Sequence, residues 1–259
     1  MEKVNELDFV NEYRLFFERR ASLCKKNFTR RNVQCAIMNS RDEVYPFIDD
    51  FISSHSDIKK IAFSDGVTLY QLGLFDYIKN KYPTYDINQP LERGSGGHYK
   101  VFGEQPPGRM NLPYEEWKEK NDSWYEKVRE SLLSDLLIIS ANAITLDGEI
   151  VSIDGLGNRV AGMIFGPRHV LCIVGRNKIA TNVETAIERI HNEVVPMTYI
   201  RHMMKHSASF ADVPCVKLGK CAKCSHEYSS CRDIVIVRGQ IKQHADRIHL
   251  LIINEDLGF

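Results

Sequence analysis

Apolar positions along the chain recur with two different periods. Residues 33–38, 59–63, 136–139 and 168–175 are short apolar runs bounded by polar or glycine-containing turns, and they read as buried strands. Residues 85–88 are a shorter strand candidate. Between these runs the apolar residues return at helical spacing. Val44, Phe47, Ile48, Phe51 and Ile52 predict a helix over 41–54, opened by a capping-box pattern at Ser40 and Glu43. The turn Ser64-Asp65-Gly66-Val67-Thr68 leads from the 59–63 strand into a helical stretch ending near Lys81. Pro113 precedes a long helix whose apolar face carries Tyr114, Trp117, Trp124, Tyr125, Val128 and Leu132. Thr181 and Glu184 suggest another capping box, Val183, Ala186, Ile187 and Ile190 the helix behind it, and Pro196 its end or kink. The helical pattern resumes over 197–206. Residues 4–24, with Leu7, Val10, Phe17 and Leu23 among charges, predict an amphipathic helix on the outside of the domain or against a second subunit, as in a homodimer. Strand and helix alternate, which predicts an open, largely parallel α/β sheet. The last two strands, 234–237 and 248–253, are expected to be antiparallel neighbours.

The stretch 140–167 stands apart. It follows the wholly apolar run 136–139 and gathers Asn142, Thr145, Asp147, Glu149, Asp154, Asn158 and Arg159 among glycines. A polar loop at the end of a buried strand is where open α/β sheets place ligands. Gly155 and Gly157 permit a tight turn or a close approach to a bound group. Asp147, Glu149 and Asp154 are candidate acids or bases, and Arg159 is a candidate clamp for a carboxylate or phosphate. Asn142 and Asn158 would orient such an anion, with Thr145 and Gly157 beside them. The turn at Ser64, Gly66 and Thr68 would aim backbone N–H groups at the same place. Asp147-Gly148 between Ile144 and Ile150 is also a strong hairpin signal, so part of this stretch reads as a β-hairpin with polar turns. The Gly- and Pro-rich segment 92–113 reads as a loop or lid, with His98 and Arg109 within reach of a ligand.

Composition narrows the function classes. Thirty-four basic and thirty-four acidic side chains leave no net charge, which argues against a general nucleic-acid binder. No apolar run is long enough to span a bilayer, and the N-terminus lacks the apolar core of a signal peptide, so a cytoplasmic location is expected. The 259 residues give room for one large domain or two small ones.

Seven cysteines in such a chain point to thiols or metal ligands rather than disulfides. Cys215, Cys221, Cys224 and Cys231 fall within a Cys-rich loop over 214–232, in the pattern C-x5-C-x2-C-x6-C. Four thiolates would satisfy tetrahedral zinc or an iron–sulfur cluster, and the spacing selects neither. His226 is a substitute ligand, and the loop's lysines would favour the thiolate form. His202 and His206 lie four apart, a spacing that can hold a metal on one helix face.

Segments 140–161, 165–168, 174–179 and 214–231, with the terminal Glu-Asp-Leu-Gly-Phe, resemble the LUD domain. That is the lactate-utilisation family, which includes LutC and the LUD part of LutB. The resemblance runs from about residue 7 to the end. It implies a NagB/RpiA/CoA-transferase-like fold with a Rossmann-like core. It also implies a part in bacterial oxidation of lactate to pyruvate, beside an iron–sulfur partner protein. The family's turn at 64–68 is usually of Gly-Gly-Ser type, and Asp65 here would repel a carboxylate ligand. Three readings follow: a redox component of small organic-acid oxidation using the four cysteines, an enzyme binding a small anionic metabolite or nucleotide-like cofactor in the 64–68/142–159 cleft, and a zinc-stapled scaffold for a redox partner.

Overall fold

The computed structural model describes residues 6–88, 91–93, 99–101, 114–205, 211–226 and 229–259. Its centre is a six-stranded, all-parallel sheet. The strands are β1 (Gln34–Met38), β2 (Lys60–Phe63), β3 (Asp86–Asn88), β6 (Leu136–Ile139), β9 (His169–Gly175) and β12 (Ile248–Ile253), in the order β1-β12-β9-β6-β2-β3. β6, β9 and β12 are buried along their whole length. A parallel strand covered by helices on both faces needs apolar residues on both, which explains the unbroken runs. Helices α2 (Val44–Ser54), α3 (Val67–Gln71) and α4 (Leu74–Lys81) cover one face, where Ile48, Ile61, Phe63, Phe75 and Leu251 share a core. Helix α1 (Val10–Arg30) covers the other through Phe17, Ala21, Cys24 and Phe28. The 41–54 helix opens with a 3-10 turn at Arg41–Glu43, and Glu43 accepts from the Asn39 amide instead of closing a box with Ser40.

A second sheet has the order β10-β7-β8-β11: β7 (Ala143–Thr145), β8 (Ile150–Asp154), β10 (Ile179–Ala180) and β11 (Asp233–Val237). β7 and β8 form the hairpin expected at Asp147-Gly148. Strands β4 (Leu91–Arg93) and β5 (Tyr99–Val101) pair within the expected loop, ahead of α5 (Tyr114–Glu130). His98, Arg109 and His206 lie outside the described residues.

Three expectations are corrected. The two C-terminal strands are not neighbours: β11 pairs antiparallel with β8, and β12 runs parallel between β1 and β9. Burial explains the split, because β12 is buried throughout while β11 has an exposed face suited to a sheet edge. The first helix begins later than 4–24, and its buried stripe keeps Phe17 but not Leu7, Val10 or Leu23. The capping box after β10 uses Asn182 and Thr185, opening α7 (Val183–Arg189). A π-turn at Ile190–Val194 then carries the chain into α8 (Val195–Lys205), accommodating Pro196 without ending the helix. No helix among the described residues is long and apolar enough to cross a membrane.

Candidate functional site

Strand order locates the first place to look. From β2 the chain moves outward to β3, and from β6 it moves the opposite way to β9. The crevice between the carboxyl ends of β2 and β6 is therefore the topological switch point, where open α/β sheets bind ligands. A cavity of about 590 Å³ opens there. Ser64–Thr68 reaches it from β2, Ser140–Asn142 from β6, and Gly258 and Phe259 from the tail after β12. Asp154–Leu156 and the helix α6 (Asn158–Ile164) form one wall, and α8 with Tyr70, Trp124 and Tyr125 forms others.

Lys178 lies at its floor, only 5% exposed. Its Nζ donates to Thr68 Oγ1 at 2.9 Å, Ser140 Oγ at 3.0 Å and Ala141 O at 3.0 Å. No carboxylate pairs with it among the described residues. Burial, with the nearby Arg159 charge, pulls its pKa from 10.5 down to about 7. Thr68 passes its own hydroxyl hydrogen to Leu257 O at 3.3 Å. The tail is pinned around this point: Gly258 N donates to Gln71, Asn177 holds Leu257 N and Gly258 O, and Glu255 takes Arg41. Gly258 has φ +67, and a Cβ there would stand 2.6 Å from Thr68 Oγ1 and 3.0 Å from Lys178 Nζ. Only glycine allows so close an approach. Two further polar atoms of the lining, Ser64 Oγ and Trp124 Nε1, are buried with no hydrogen-bond partner among the described residues.

The expected residues divide. Ser64, Gly66, Thr68, Asn142, Asp154, Asn158 and Arg159 meet at the cavity. Arg159 is a brace within its wall: it donates to Ser140 O, Asn142 Oδ1, Ile153 O and Asp154 Oδ2. Asn142 Oδ1 also accepts from Ile153 N, and Asp154 Oδ1 caps Gly155 N, so both fix the loop's shape. Asp65 accepts from the Tyr70 hydroxyl. Gly157, at φ +82, precedes α6 and is next to the lining.

Asp147, Glu149 and Thr145 are not brought to the cavity. They occupy the far turn of the β7–β8 hairpin, where Asp147 is exposed. Glu149 is buried between Arg31 at 3.8 Å and Arg238 at 3.5 Å, and it accepts from Thr145 Oγ1. Gly148 packs against the end of α1, since a Cβ there would stand 2.7 Å from the Asn27 backbone. This turn fastens the hairpin to α1. Lys178 went unread because the run Gly175-Arg176-Asn177-Lys178 shows only a polar loop.

The cysteines differ in burial. Cys215 is buried on the short helix Pro214–Leu218 and Cys231 half-buried before β11, while Cys221 and Cys224 lie on the intervening loop. Burial raises the Cys215 and Cys231 pKa values, and the neighbouring thiols raise them further. As placed, the sulfurs do not form a closed set. Among the described residues, the gathered group of potential metal donors is His55, His169 and Asp246. Cys172 is a core side chain whose thiol burial pushes up to about 12.

Comparison with known proteins places the chain. A solved structure of a DUF162 family protein from Deinococcus radiodurans is similar at 9% identity, covering 92% of this chain and 98% of that one, with a TM-score of 0.45. No curated protein matches. The LUD domain matches residues 21–253, nearly the whole of the ordered α/β unit, and the chain belongs to the LUD domain family, which is associated with lactate utilisation.

Proposed function

We propose that this protein binds a small organic acid of the lactate class at Lys178, in a cavity with room beyond it for a nucleotide-like body. The carrying observation is the buried Lys178 ammonium, held by neutral oxygens at the switch point. A buried cation lacking a counter-charge is costly, and a ligand carboxylate would supply that charge. Orphaned Ser64 Oγ and Trp124 Nε1 offer the next contacts. A cavity of about 590 Å³ is sized for a drug-like molecule rather than a three-carbon acid alone. Tyr70, Trp124, Tyr125 and Phe259 give its walls an aromatic character suited to stacking. With a pKa near neutrality, Lys178 also suits proton transfer to or from the bound acid.

The test is thermal unfolding with lactate, pyruvate, adenine nucleotides and coenzyme A as separate ligands. A rise in Tm with one of them, absent in Lys178→Met, supports the reading. No rise with any of them removes it.

A second reading uses the cysteines as a zinc or iron–sulfur site that serves a redox partner or staples a scaffold. Its support is local: Lys223, at φ +49, donates its backbone N–H to Cys221 Sγ at 3.4 Å. An N–H···S bond within C-x2-C is a turn suited to a metal-bound thiolate. Cys215 feels the charge of Cys221 and Cys224, and Cys231 that of all three others, so these side chains share one region. Metal analysis and a visible spectrum on protein purified without oxygen decide it. Iron with visible absorbance favours electron transfer, zinc favours a staple, and neither metal dismisses both.

A further inference from the structure

The opposite edge of the parallel sheet carries a cluster that the cavity does not use. His55 ends α2, His169 begins β9, His249 is the second residue of β12, and Asp57 and Asp246 lie on the preceding loops. The His55 and His169 ring centroids are 4.5 Å apart, and Phe51 packs against all three imidazoles. One donor atom each from His55, His169 and Asp246 lie within 4.8 Å of one another.

Hydrogen bonds fix which ring nitrogens are free. His55 Nδ1 sits 2.7 Å from Phe51 O, so it carries the proton and Nε2 keeps the lone pair. That Nε2 faces Asp246 Oδ2 at 3.7 Å. The separation is too long for a hydrogen bond, and two lone pairs facing each other repel. A cation between them removes the repulsion. Metal bonds of 2.0–2.1 Å at tetrahedral angles place ligand atoms roughly 3.3 Å apart, a gap Asp246 reaches by a small movement. Its side chain is 71% exposed and has that freedom.

His169 is 9% exposed, and its Nε2 lies 3.3 Å from Asp57 Oδ2. With Nε2–H donated to Asp57, Nδ1 holds a lone pair, and Nδ1 is buried without a partner among the described residues. Ligating histidines commonly have their other nitrogen held by a carbonyl or carboxylate. Phe51 O and Asp57 hold these two. His249 donates Nε2–H to Asp246 O at 2.9 Å and so positions the loop bearing the carboxylate. The negative pole of α2 falls at His55 and favours a cation there.

We propose that His55, His169 and Asp246 bind one divalent transition-metal ion of the zinc class, with water completing its coordination on the exposed side. Two imidazoles and a carboxylate are the donor set for such an ion, and an open position is left for solvent or ligand. Asp57 and His249 are positioning residues.

Cobalt(II) titration of the full-length chain tests this and separates it from the cysteines. The expected result is one equivalent bound, with the visible bands of a nitrogen and oxygen site and no intense thiolate-to-metal charge transfer. Asp246→Asn and His55→Gln should each weaken binding by at least about tenfold. The exposed Asp246 makes its variant safe for folding, and an unchanged Tm without metal checks this. No binding, binding untouched by both substitutions, or binding accompanied only by thiolate charge transfer overturns the proposal.

Discussion

The two edges of one parallel sheet are charged in opposite senses. At the carboxyl edge Lys178 and Arg159 face the cavity, while the nearby acids are engaged: Asp154 with Arg159 and backbone amides, Asp65 with Tyr70. At the amino edge imidazoles meet Asp57 and Asp246, and lone pairs face one another. One edge lacks an anion and the other a cation. Unpaired cation alone does not mark a site, as Arg247 shows. It too is buried, but it donates to Gly162 O and Met163 O at the end of α6, and to Pro167 O. The negative pole of a helix already compensates it, and it does not line the Lys178 cavity. Lys178 has hydroxyls, a cavity and no such pole.

The largest test of the contrast is Lys178→Met. Anion binding should fall by at least about a hundredfold, roughly 2.7 kcal/mol. Stability should change in the opposite direction from an ordinary deletion. The folded pKa of Lys178 is depressed, so the unfolded chain binds more protons between pH 7 and 10.5. The Lys178 contribution to stability must then rise with pH across that window, with the strain fully present below about 7, while the buried thiols Cys24, Cys35 and Cys172, pushed up to about 12, act in the opposite sense above about 9. At about 1.4 kcal/mol per unit the change amounts to a few kcal/mol. The stability difference between wild type and variant should therefore shift toward wild type by that amount as pH rises through the window, read from urea unfolding at several pH values. Binding of an anion to wild type should take up protons near pH 8 to 9, detectable by calorimetry in buffers of different ionisation enthalpy. A difference between wild type and variant that stays constant with pH would sever Lys178 from the effect.

Arg159→Ala separates a wall from a contact. The guanidinium supports two carbonyls, Asn142 and Asp154, and its loss should cost about 2–4 kcal/mol of stability. Arg159→Lys should recover little, because a point charge cannot reach four acceptors in a plane. Full stability in Arg159→Ala would return Arg159 to the role of ligand clamp.

These residues also show what was readable beforehand. β6 and β9 were legible because double burial writes an uninterrupted apolar run, and the hairpin because Asp147-Gly148 has few other uses. Ser64, Thr68 and Asn142 were legible by position, at the ends of such strands. Lys178 was not, because its partners Thr68 and Ser140 are 110 and 38 residues away. Glu149 was misplaced for the same reason: its partners Arg31 and Arg238 lie on distant elements. His55, His169 and Asp246 have no common spacing at all, whereas the cysteines cluster in sequence yet, among the described residues, do not bring three donor atoms within 4.8 Å of one another.

Asp57→Asn probes whether the edges are independent. It should weaken cobalt binding about tenfold by loosening His169, and leave anion binding at Lys178 unchanged. Loss of both together would mean the two sites share one structural transition.

The smallest effect is expected at Asp65, where the contrast is least clean. Its carboxylate lines the cavity and accepts from Tyr70, so it opposes an incoming anion while helping to shape the wall. Asn keeps an acceptor for Tyr70 and removes the charge. Because the site opens to solvent and the repulsion is partly screened, Asp65→Asn should tighten anion binding only about threefold, near 0.6 kcal/mol. The gain should shrink as salt is added. A weakening would show that Asp65 serves the ligand directly, as the acceptor for a hydroxyl group, and would favour a hydroxy acid over a keto acid as the ligand. Titrating lactate and pyruvate against the same variant distinguishes these outcomes, since only lactate carries that hydroxyl.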